Sequence, residues 1–337
     1  MVKRSVRLED LAQLADVSIA TVSRALNDSP AVSEATKRRV WKIARENNYV
    51  FRATAPALLS GMSATIALVL PVPQGRQARI ADPFYLELIG GVGDAAREAG
   101  CDFIVSHVSP RDYEELEHLM ASVRAEGVIF LGQSWLHDRF NRLAQSSSRF
   151  VVWGAALEEQ TYCSVGSDNP KGGRRATAHL IRLGRRRIAF LGHTEAPETL
   201  QRYQGYLEAL QEADIPYDEG LVSPAHFEVE SAEVAVSGML GRGMAFDGIV
   251  AASDLIAVGA VRALRQAGVG VPRDVSVVGY DDILLSRYSS PALSTIAQDM
   301  TKAGRLLVSK LMSGNDTRSL PSERLPTDLI VRESCGG

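Results

Sequence analysis

The chain has 337 residues, of which 45% are apolar and 23% are charged, and its formal net charge is -3. The length exceeds one ordinary domain, and the composition is typical of a globular protein with large cores, which excludes disordered, fibrous and membrane-spanning classes. The charge is unevenly distributed, because residues 1–63 hold 10 Lys and Arg against 6 Asp and Glu. The basic amino-terminal end is therefore the part expected to meet nucleic acid.

The first elements are two short amphipathic helices joined by a tight turn. Apolar residues repeat at helical spacing as far as Asp16-Val17: Leu8, Leu11, Ala12 and Ala15. A second helix follows from Ser18, whose hydroxyl can cap it, and Val22, Ala25 and Leu26 face inward. Its outward residues are short or apolar around one long cation: Ile19, Ala20, Thr21, Ser23 and Arg24. Such a helix can approach base edges closely in a DNA groove.

A third helix is predicted from Ser33, a second candidate cap. Its inward residues are Val40, Ile43 and Ala44, and its basic residues are expected mostly outward: Lys37, Arg38, Arg39, Lys42 and Arg45. The three helices together indicate a helix-turn-helix with a supporting helix. On spacing alone, an amphipathic helical hairpin with solvated charges remains an alternative.

The motifs in this region resemble the LacI/GalR family of bacterial repressors. They are Leu8-Glu9-Asp10-Leu11-Ala12, Val17-Ser18, Ala20-Thr21-Val22-Ser23-Arg24-Ala25-Leu26-Asn27, Val32-Ser33 and Asn48-Tyr49. The resemblance implies a homodimeric regulator whose recognition helices read half-sites of a pseudo-palindromic DNA operator. It matches Ile19, Ala20 and Arg24 to base-reading positions. It matches five further residues to phosphate-contacting positions: Ser18, Thr21, Ser23, Asn27 and Ser33.

Residues 51–63 are expected to form a hinge helix or linker. The segment is rich in small residues and ends at Gly61, and it is too short to be a stable helix alone. The family resemblance implies that it pairs with its symmetry mate in the minor groove, with Leu58 as an apolar wedge between base steps. Pro56 departs from the family pattern and removes a backbone donor, so the helix is expected to begin near Ala55. A plain flexible linker is the alternative.

From residue 66 onward, short apolar runs alternate with helical stretches. The predicted strands are 66–72, 103–106, 128–131, 150–153, 188–191, 248–251 and 275–278. The predicted helices include 84–99, 171–183, 202–212, 255–267 and 300–312. This alternation predicts an α/β fold with doubly wound parallel sheets covered by helices on both faces.

The resemblance implies two similar subdomains, like those of periplasmic binding proteins. We expect a DNA-binding domain at 1–50, the hinge at 51–63, and an effector-binding and dimerisation domain at 64–337. Within the last, the N-subdomain is expected at 64–165 and 296–332, and the C-subdomain at 166–295. Ligands of open parallel sheets bind beyond the carboxyl ends of the strands, so the expected site is a cleft between the subdomains.

Candidate effector residues lie at these strand ends and at the start of the first body helix. The strand-end candidates are Asp168, Ser253, Asp254, Tyr280 and Asp281, and carboxylates there suit vicinal hydroxyls of a sugar. Arg202 occupies the place of the family's effector-binding arginine. Phe84 and Tyr85 could stack on a sugar ring, and Trp135 and Phe227 are weaker candidates. Each carboxylate could instead be a helix cap or turn residue.

No catalytic constellation, metal-ligand spacing or cofactor motif is found in the sequence, so no enzyme activity, metal or cofactor is predicted. Gly90-Gly91-Val92-Gly93 follows a helical run rather than a strand, which is the wrong context for a dinucleotide loop. Cys101, Cys163 and Cys335 form an odd set without metal spacing, and the first residues lack a secretory pattern. A cytoplasmic location is therefore expected.

Together these features predict a repressor of carbohydrate-utilisation genes that a sugar or sugar-derived effector releases from its operator. The alternatives are a sugar-binding module without a regulatory role, or a regulator with a non-sugar co-repressor such as a nucleobase.

Overall fold

The computed structural model describes residues 8–26, 29, 31–46, 64–70, 81–106, 108, 110, 112–123, 125–133, 136–313 and 316–336. Contacts divide the chain into two compact units, Met1–Ser63 and Ala64–Gly337. We call them the head and the body. No helix in the described ranges is both long enough and apolar enough to cross a membrane.

The described part of the head contains three helices: α1 (Leu8–Leu14), α2 (Ile19–Leu26) and α3 (Glu34–Glu46). Their inward residues form one small core that includes Leu11, Val22 and Val40. Ser18 caps α2 by accepting the Thr21 N–H at 3.1 Å, as the sequence predicts. Lys37 departs from the mostly outward pattern expected of the basic residues: it is only 8% exposed, because it lies three residues before Val40 on the inward face of α3.

The body contains two six-stranded sheets with the same strand order. The strands of the first are β1 (Thr65–Val69), β2 (Asp102–Ser106), β3 (Gly127–Leu131), β4 (Phe150–Trp153), β5 (Ser164–Ser167) and β11 (Glu323–Leu325). The strands of the second are β6 (Ile188–Leu191), β7 (Val222–Ser223), β8 (Gly248–Ala251), β9 (Ser276–Asp281), β10 (Ser294–Ala297) and β12 (Asp328–Ile330). The orders are β2-β1-β3-β4-β5-β11 and β7-β6-β8-β9-β10-β12.

Helices cover both sheets and complete two lobes. The first lobe has α4 (Pro83–Glu98), α5 (Tyr113–Ser122), α6 (His137–Ser146) and α12 (Met300–Met312). The second lobe has α7 (Asn169–Arg182), α8 (Pro197–Glu212), α9 (Val229–Gly241), α10 (Asp254–Gln266) and the short α11 (Leu284–Tyr288). The two faces of the first sheet have separate cores, one against α4 and α12 and one against α5 and α6. The predicted fold class is thereby confirmed.

The chain passes between the lobes three times: after β5, after β10 and after β11. The last passage departs from the expected subdivision, which assigned residues 296–332 to the first lobe. β12 instead pairs antiparallel with β10 in the second sheet, the one antiparallel pairing among the described strands. The tail beyond it stays on the same sheet, because Ser334 donates its hydroxyl to the Val277 carbonyl at 2.7 Å.

Candidate functional site

Hydrogen bonds join the two lobes near the carboxyl ends of the strands of both sheets, and we call the region between the lobes the cleft. Across it, Gln201 of α8 donates to the Ala156 carbonyl beyond β4 at 2.9 Å. The Leu284 N–H of α11 donates to Glu87 Oε1 of α4 at 2.8 Å. Ser167, at the end of β5, donates its hydroxyl to Gln298 beyond β10. The cleft is therefore bounded by residues that lie just beyond strands of both sheets, as expected for this architecture.

Arg202 is the basic centre of the second lobe's wall. It is only 6% exposed, and its Nε donates to Asn169 Oδ1 at 2.9 Å. Its Nη1 donates to the Ala252 carbonyl and lies 3.8 Å from Asp281 Oδ1. The guanidinium carbon lies 3.7 Å from the centroid of the Tyr280 ring, a cation–π contact. These polar contacts and the ring of Tyr280 together fix the guanidinium in one orientation.

Asp281 ends β9 beside this arginine and is 8% exposed. Burial raises its pKa well above the ordinary carboxyl value, and the positive charge of Arg202 offsets part of that rise. Gln298 donates to Asp281 Oδ1 at 2.6 Å, so the amide joins Ser167 of the first sheet to Asp281 of the second. The backbone of Asp281 has φ of +116°, a value that L residues rarely adopt and that often marks functional positions.

Two further predicted residues lie against this centre. Tyr280 is buried, and burial raises its pKa to about 12; its hydroxyl faces the backbone of Gly172 in α7. Asp168 is half-buried and caps α7 by accepting the Lys171 N–H at 3.3 Å. Its negative charge contributes to the raised pKa of Tyr280, which places the two side chains within electrostatic range of one another.

The first lobe contributes aromatic side chains. Phe84 and Tyr85 lie in the first turn of α4, capped by Asp82, which accepts the Phe84 N–H at 3.0 Å. The Phe84 ring lies 6.3 Å from the ring of Trp153, at the end of β4, and 5.5 Å from that of Tyr85. Burial raises the pKa of Tyr85, and the charges of Asp82, Glu198 and Asp281 raise it further. The phenol of the first lobe thus lies within range of carboxylates of the second.

Ser253 and Asp254 have partners within the chain itself. Ser253 caps α10 by accepting the Ile256 N–H at 3.3 Å. Asp254 is fully buried and accepts hydrogen bonds from the Ile283 N–H at 3.0 Å, from the Thr295 hydroxyl at 2.6 Å and from Ser286. This carboxylate joins α10 to α11 and β10. The geometry therefore favours the cap and turn alternative for these two residues.

Three residues of the cleft were missed by the sequence interpretation: Trp153, Glu198 and Gln133. Glu198 lies four residues before Arg202 and hence on the same face of α8, a spacing that could have identified it. Burial raises the pKa of Glu198, and the positive charge of Arg202 offsets part of that rise. Gln133 follows β3, is fully buried, and donates to the Ala155 carbonyl at 2.7 Å while its Oε1 has no recorded partner. Of the weaker candidates, Phe227 is 42% exposed, and Trp135 lies outside the described residues.

The outward face of α2 carries the residues predicted to contact DNA. Ile19 is 48% exposed, Ala20 and Arg24 are also exposed, and Thr21 is half-buried. Ser33 caps α3 by accepting the Thr36 N–H at 3.3 Å. Asn27 and Leu58 lie outside the described residues, as does the side chain of Ser23.

Comparison with known proteins adds to this geometry. The model for the lacI family of bacterial regulatory proteins matches residues 7–50, and that for a periplasmic binding protein-like domain matches residues 177–335. The HTH-type transcriptional regulator CelR of Thermobifida fusca is 36% identical over 340 residues, covering 98% of this chain and 99% of that protein.

Two solved structures extend the similarity to the fold of nearly the whole chain. A transcriptional regulator CelR–cellobiose complex matches with a TM-score of 0.70 at 34% identity, covering 98% of this chain and 99% of that one. The lac repressor dimer bound to operator and the anti-inducer ONPF matches with a TM-score of 0.72 at 25% identity, again covering 98% and 99%.

The chain has a helix-turn-helix head, followed by a body of two α/β lobes with mainly parallel sheets and a polar cleft. This combination defines a ligand-responsive, DNA-binding transcriptional regulator. The chain belongs to the lacI family of bacterial regulatory proteins. The resemblance inferred from the motifs of the head is thereby confirmed.

Proposed function

We propose that this protein represses carbohydrate-utilisation genes as a homodimer and that a sugar bound in the cleft releases it from a pseudo-palindromic operator. One observation carries the proposal. The same chain has an exposed helix that fits a DNA groove and a two-lobed cleft built around Arg202 and Asp281. The CelR–cellobiose complex and the operator-bound lac repressor dimer support it as structures of similar chains.

We assign base reading to Ile19, Ala20 and Arg24, which share the outward side of α2. Phosphate contacts are assigned to Ser18, Thr21, Ser23, Asn27 and Ser33. The caps at Ser18 and Ser33 support this assignment, because they orient helix N-termini, and N-termini bind phosphates favourably. Leu58 is assigned to the minor groove on the sequence pattern alone.

We assign effector contact to Phe84, Tyr85, Asp168, Arg202, Tyr280 and Asp281. The aromatic rings of the first lobe offer a flat surface for the apolar face of a pyranose, and the polar groups of the second accept and donate hydrogen bonds. A ligand held by both lobes prefers the lobe arrangement that satisfies both sets of contacts. The difference between the ligand's affinities for the two lobe arrangements sets how far the ligand shifts the regulator from one arrangement to the other.

The dimer is proposed to form through an apolar surface of the body. The edge strand β2 exposes Phe103, Ile104 and Val105 by 38%, 48% and 40%. α11 exposes Leu284 by 59% and Tyr288 by 78%. Large apolar side chains that are exposed on an open edge strand or on a helix are unfavourable in water. A second copy of the chain would cover them.

We further propose the division into a DNA-binding domain at 1–50, a hinge at 51–63 and an effector domain at 64–337. The boundary between the two compact units at Ser63 and Ala64 supports it. We assign the protein to the cytoplasm, where operator DNA is found. We infer that it is a regulator rather than an enzyme, since its relatives are transcriptional regulators.

Selection of duplexes from a random library with the full chain tests this function. We expect a pseudo-palindromic consensus whose affinity falls about 1,000-fold or more between about 50 and 200 mM salt, because binding releases counterions from phosphates. A neutral sugar such as cellobiose should weaken binding to the selected duplex. Sugar binding without any duplex preference would instead support a sugar-binding module.

The substitution Arg24→Ala tests how α2 is docked. We expect a loss of about 1–3 kcal/mol in operator binding and a relaxed base preference at one position of each half-site. Arg273→Ala is the matched control, since Arg273 is an exposed arginine of the body whose side chain is 77% accessible. An unchanged consensus for Arg24→Ala would contradict the assigned docking.

A further inference from the structure

Two consecutive residues at the end of β9 have a positive φ. Asp281 has φ of +116° and Asp282 has φ of +57°, and neither residue is glycine. Aspartate tolerates the second value, but the first is a conformation that L residues rarely adopt. Such a backbone persists only where the surrounding structure holds it in place. The turn that places Asp281 beside Arg202 therefore needs partners that fix it.

One such partner is an arginine of the tail that follows β12. Arg332 donates from Nη2 to Asp282 Oδ1 and from Nη1 to the Leu293 carbonyl at 2.7 Å. The Ser294 hydroxyl accepts the Arg332 N–H at 2.8 Å and donates to the Arg332 carbonyl at 3.1 Å, which fixes the backbone of this arginine. The side chains of Arg332 and Asp282 are only 14% and 12% accessible. This ion pair is thus directional and shielded from water.

The other recorded contacts of Asp282 are weaker. Arg287 Nη2 lies 3.3 Å from Asp282 Oδ2, but the Arg287 side chain is 57% accessible, and exposed ion pairs contribute little. The Asp282 N–H donates to the Thr295 hydroxyl at 3.4 Å, which is long for a hydrogen bond. Among the described residues, Arg332 is therefore the main partner that holds the side chain of Asp282.

The position of the Asp281 carboxylate depends on this hold. Asp281 is joined to Asp282 by one peptide bond, and its Oδ1 accepts from Gln298 at 2.6 Å and lies 3.8 Å from Arg202 Nη1. If Asp282 were released, both residues could leave their positive φ values. That change would swing the Asp281 carboxylate away from Gln298 and Arg202.

We propose that Arg332 is a positioning residue of the effector site, which holds Asp282 so that Asp281 faces Arg202 and Gln298. This inference rests on the proposed function, because Asp281 is assigned to effector contact there. Arg332 acts through Asp282 and Asp281, and no contact with the sugar is assigned to it.

Calorimetry on the full chain with cellobiose tests the effect on the ligand. Arg332→Met retains an unbranched side chain but removes the charge and both side-chain hydrogen bonds, and it should lower cellobiose affinity about 10-fold. Arg332→Lys retains a positive charge beside Asp282 but lacks the fork of donors. It should recover most of the affinity and lose only about 3-fold. Wild-type affinity in Arg332→Met would overturn the proposal.

Ser334→Ala is the matched control for general loosening of the tail. The Ser334 hydroxyl donates to the Val277 carbonyl at 2.7 Å and accepts the Ser294 N–H at 2.8 Å, and both bonds lie away from the turn at Asp281. The substitution should lower the melting temperature but leave cellobiose affinity within about 2-fold of the wild-type value. An affinity loss equal to that of Arg332→Met would assign the effect to tail stability and overturn the proposal.

Crystal structures of the sugar-free wild-type chain and of Arg332→Met give a readout that does not depend on the sugar. In the variant, we expect Asp281 to leave its positive φ and its Oδ1 to lie farther from Arg202 Nη1 than 3.8 Å. An unchanged turn in the variant would overturn the proposal. If the turn relaxes but cellobiose does not bind to the wild-type chain, the role of Arg332 in holding the turn is supported and the proposed sugar response fails.

Discussion

The two lobes of the body are built alike but place different side chains beside the cleft. Both have the same strand order, and in both a close helix pair depends on glycines. In the first lobe, α4 and α12 meet at Gly91 and Gly304; in the second, α7 and α8 meet at Gly173 and Gly205. In each lobe, the packing of helices against the sheet accounts for the scaffold.

The lobes differ in the residues that follow their strands. The second lobe buries charge, with Arg202 and Asp281 less than one-tenth exposed. The first lobe presents the Trp153 ring and the neutral amide of Gln133. In the proposed function each lobe supplies half of the effector site, and a ligand would gain its full set of contacts only when the lobes are close together. The predictions below test this division, beginning with the shared scaffold.

Adding a methyl group at the helix pairs should have the largest effect. The Cβ of Gly205→Ala would lie 1.9 Å from the Pro170 carbonyl oxygen, and that of Gly91→Ala 2.3 Å from the Met300 carbonyl oxygen. Backbone cannot yield as a side chain can, so each should lower the free energy of unfolding by about 3 kcal/mol or more in urea denaturation.

Gly90→Ala is the control for steric overlap. It lies on the same helix as Gly91, and no described atom beyond its own helix backbone and chain neighbours lies within 4 Å of its added Cβ. It should leave stability unchanged or raise it by about 0.5–1 kcal/mol through helix propensity. Equal losses at Gly90 and Gly91 would mean that the helices do not pack as described.

Asp281→Asn tests the charged half of the site. Asparagine has nearly the same shape as aspartate and retains one acceptor oxygen, but the charge attraction to Arg202 is lost. We expect sugar affinity to fall by about 2–3 kcal/mol in calorimetry, with operator affinity near the wild-type value. Loss of operator binding together with sugar binding would assign Asp281 to the scaffold instead.

Phe84→Leu and Trp153→Leu test the aromatic half. A stacked ring contributes about 1 kcal/mol beyond its buried area, so each substitution should weaken sugar binding about 5- to 10-fold. Phe84 is only half-buried, and its substitution should leave the melting temperature near the wild-type value. Full sugar affinity in both variants would show that the first lobe contributes no stacking.

Asp254→Asn should have the smallest effect, visible as a change in pH dependence. Burial raises the pKa of Asp254, so the folded chain retains a proton that the unfolded chain releases. The free energy of unfolding therefore falls as pH rises from the ordinary carboxyl pKa of about 4 toward the raised value of about 7. Asp254→Asn should flatten this slope, whereas Asp94→Asn, at an exposed carboxylate, should not. A slope that persists in Asp254→Asn would contradict the assignment.

Much of the scaffold could be predicted from the sequence, because short apolar runs and helical periodicity record which residues are buried. The strands 150–153, 188–191 and 248–251 and the helix 300–312 were predicted with the bounds that the structure has. β12 was not predicted in the second sheet, since a three-residue strand has no periodicity and its partner is chosen by tertiary packing.

The site could be predicted less completely for a similar reason. Asp254 and Asp281 both look like strand-end carboxylates in the sequence. In the structure, however, Asp254 accepts hydrogen bonds from Ser286 and Thr295, which lie more than 30 residues away in the chain. Trp153 reads as the last residue of a buried strand, and only the fold brings it beside Phe84. Such roles depend on contacts between distant segments, which local patterns do not record.

The central claim is that sugar binding in the cleft and operator binding by the head are thermodynamically coupled. The most direct test is whether each ligand changes the affinity for the other by the same factor. Operator affinity of the full chain is measured with and without saturating cellobiose, and cellobiose affinity is measured with and without saturating operator. The account predicts that both affinities fall by the same factor, about 5- to 150-fold. A sugar that binds with unchanged affinity whether or not the operator is present would contradict the account.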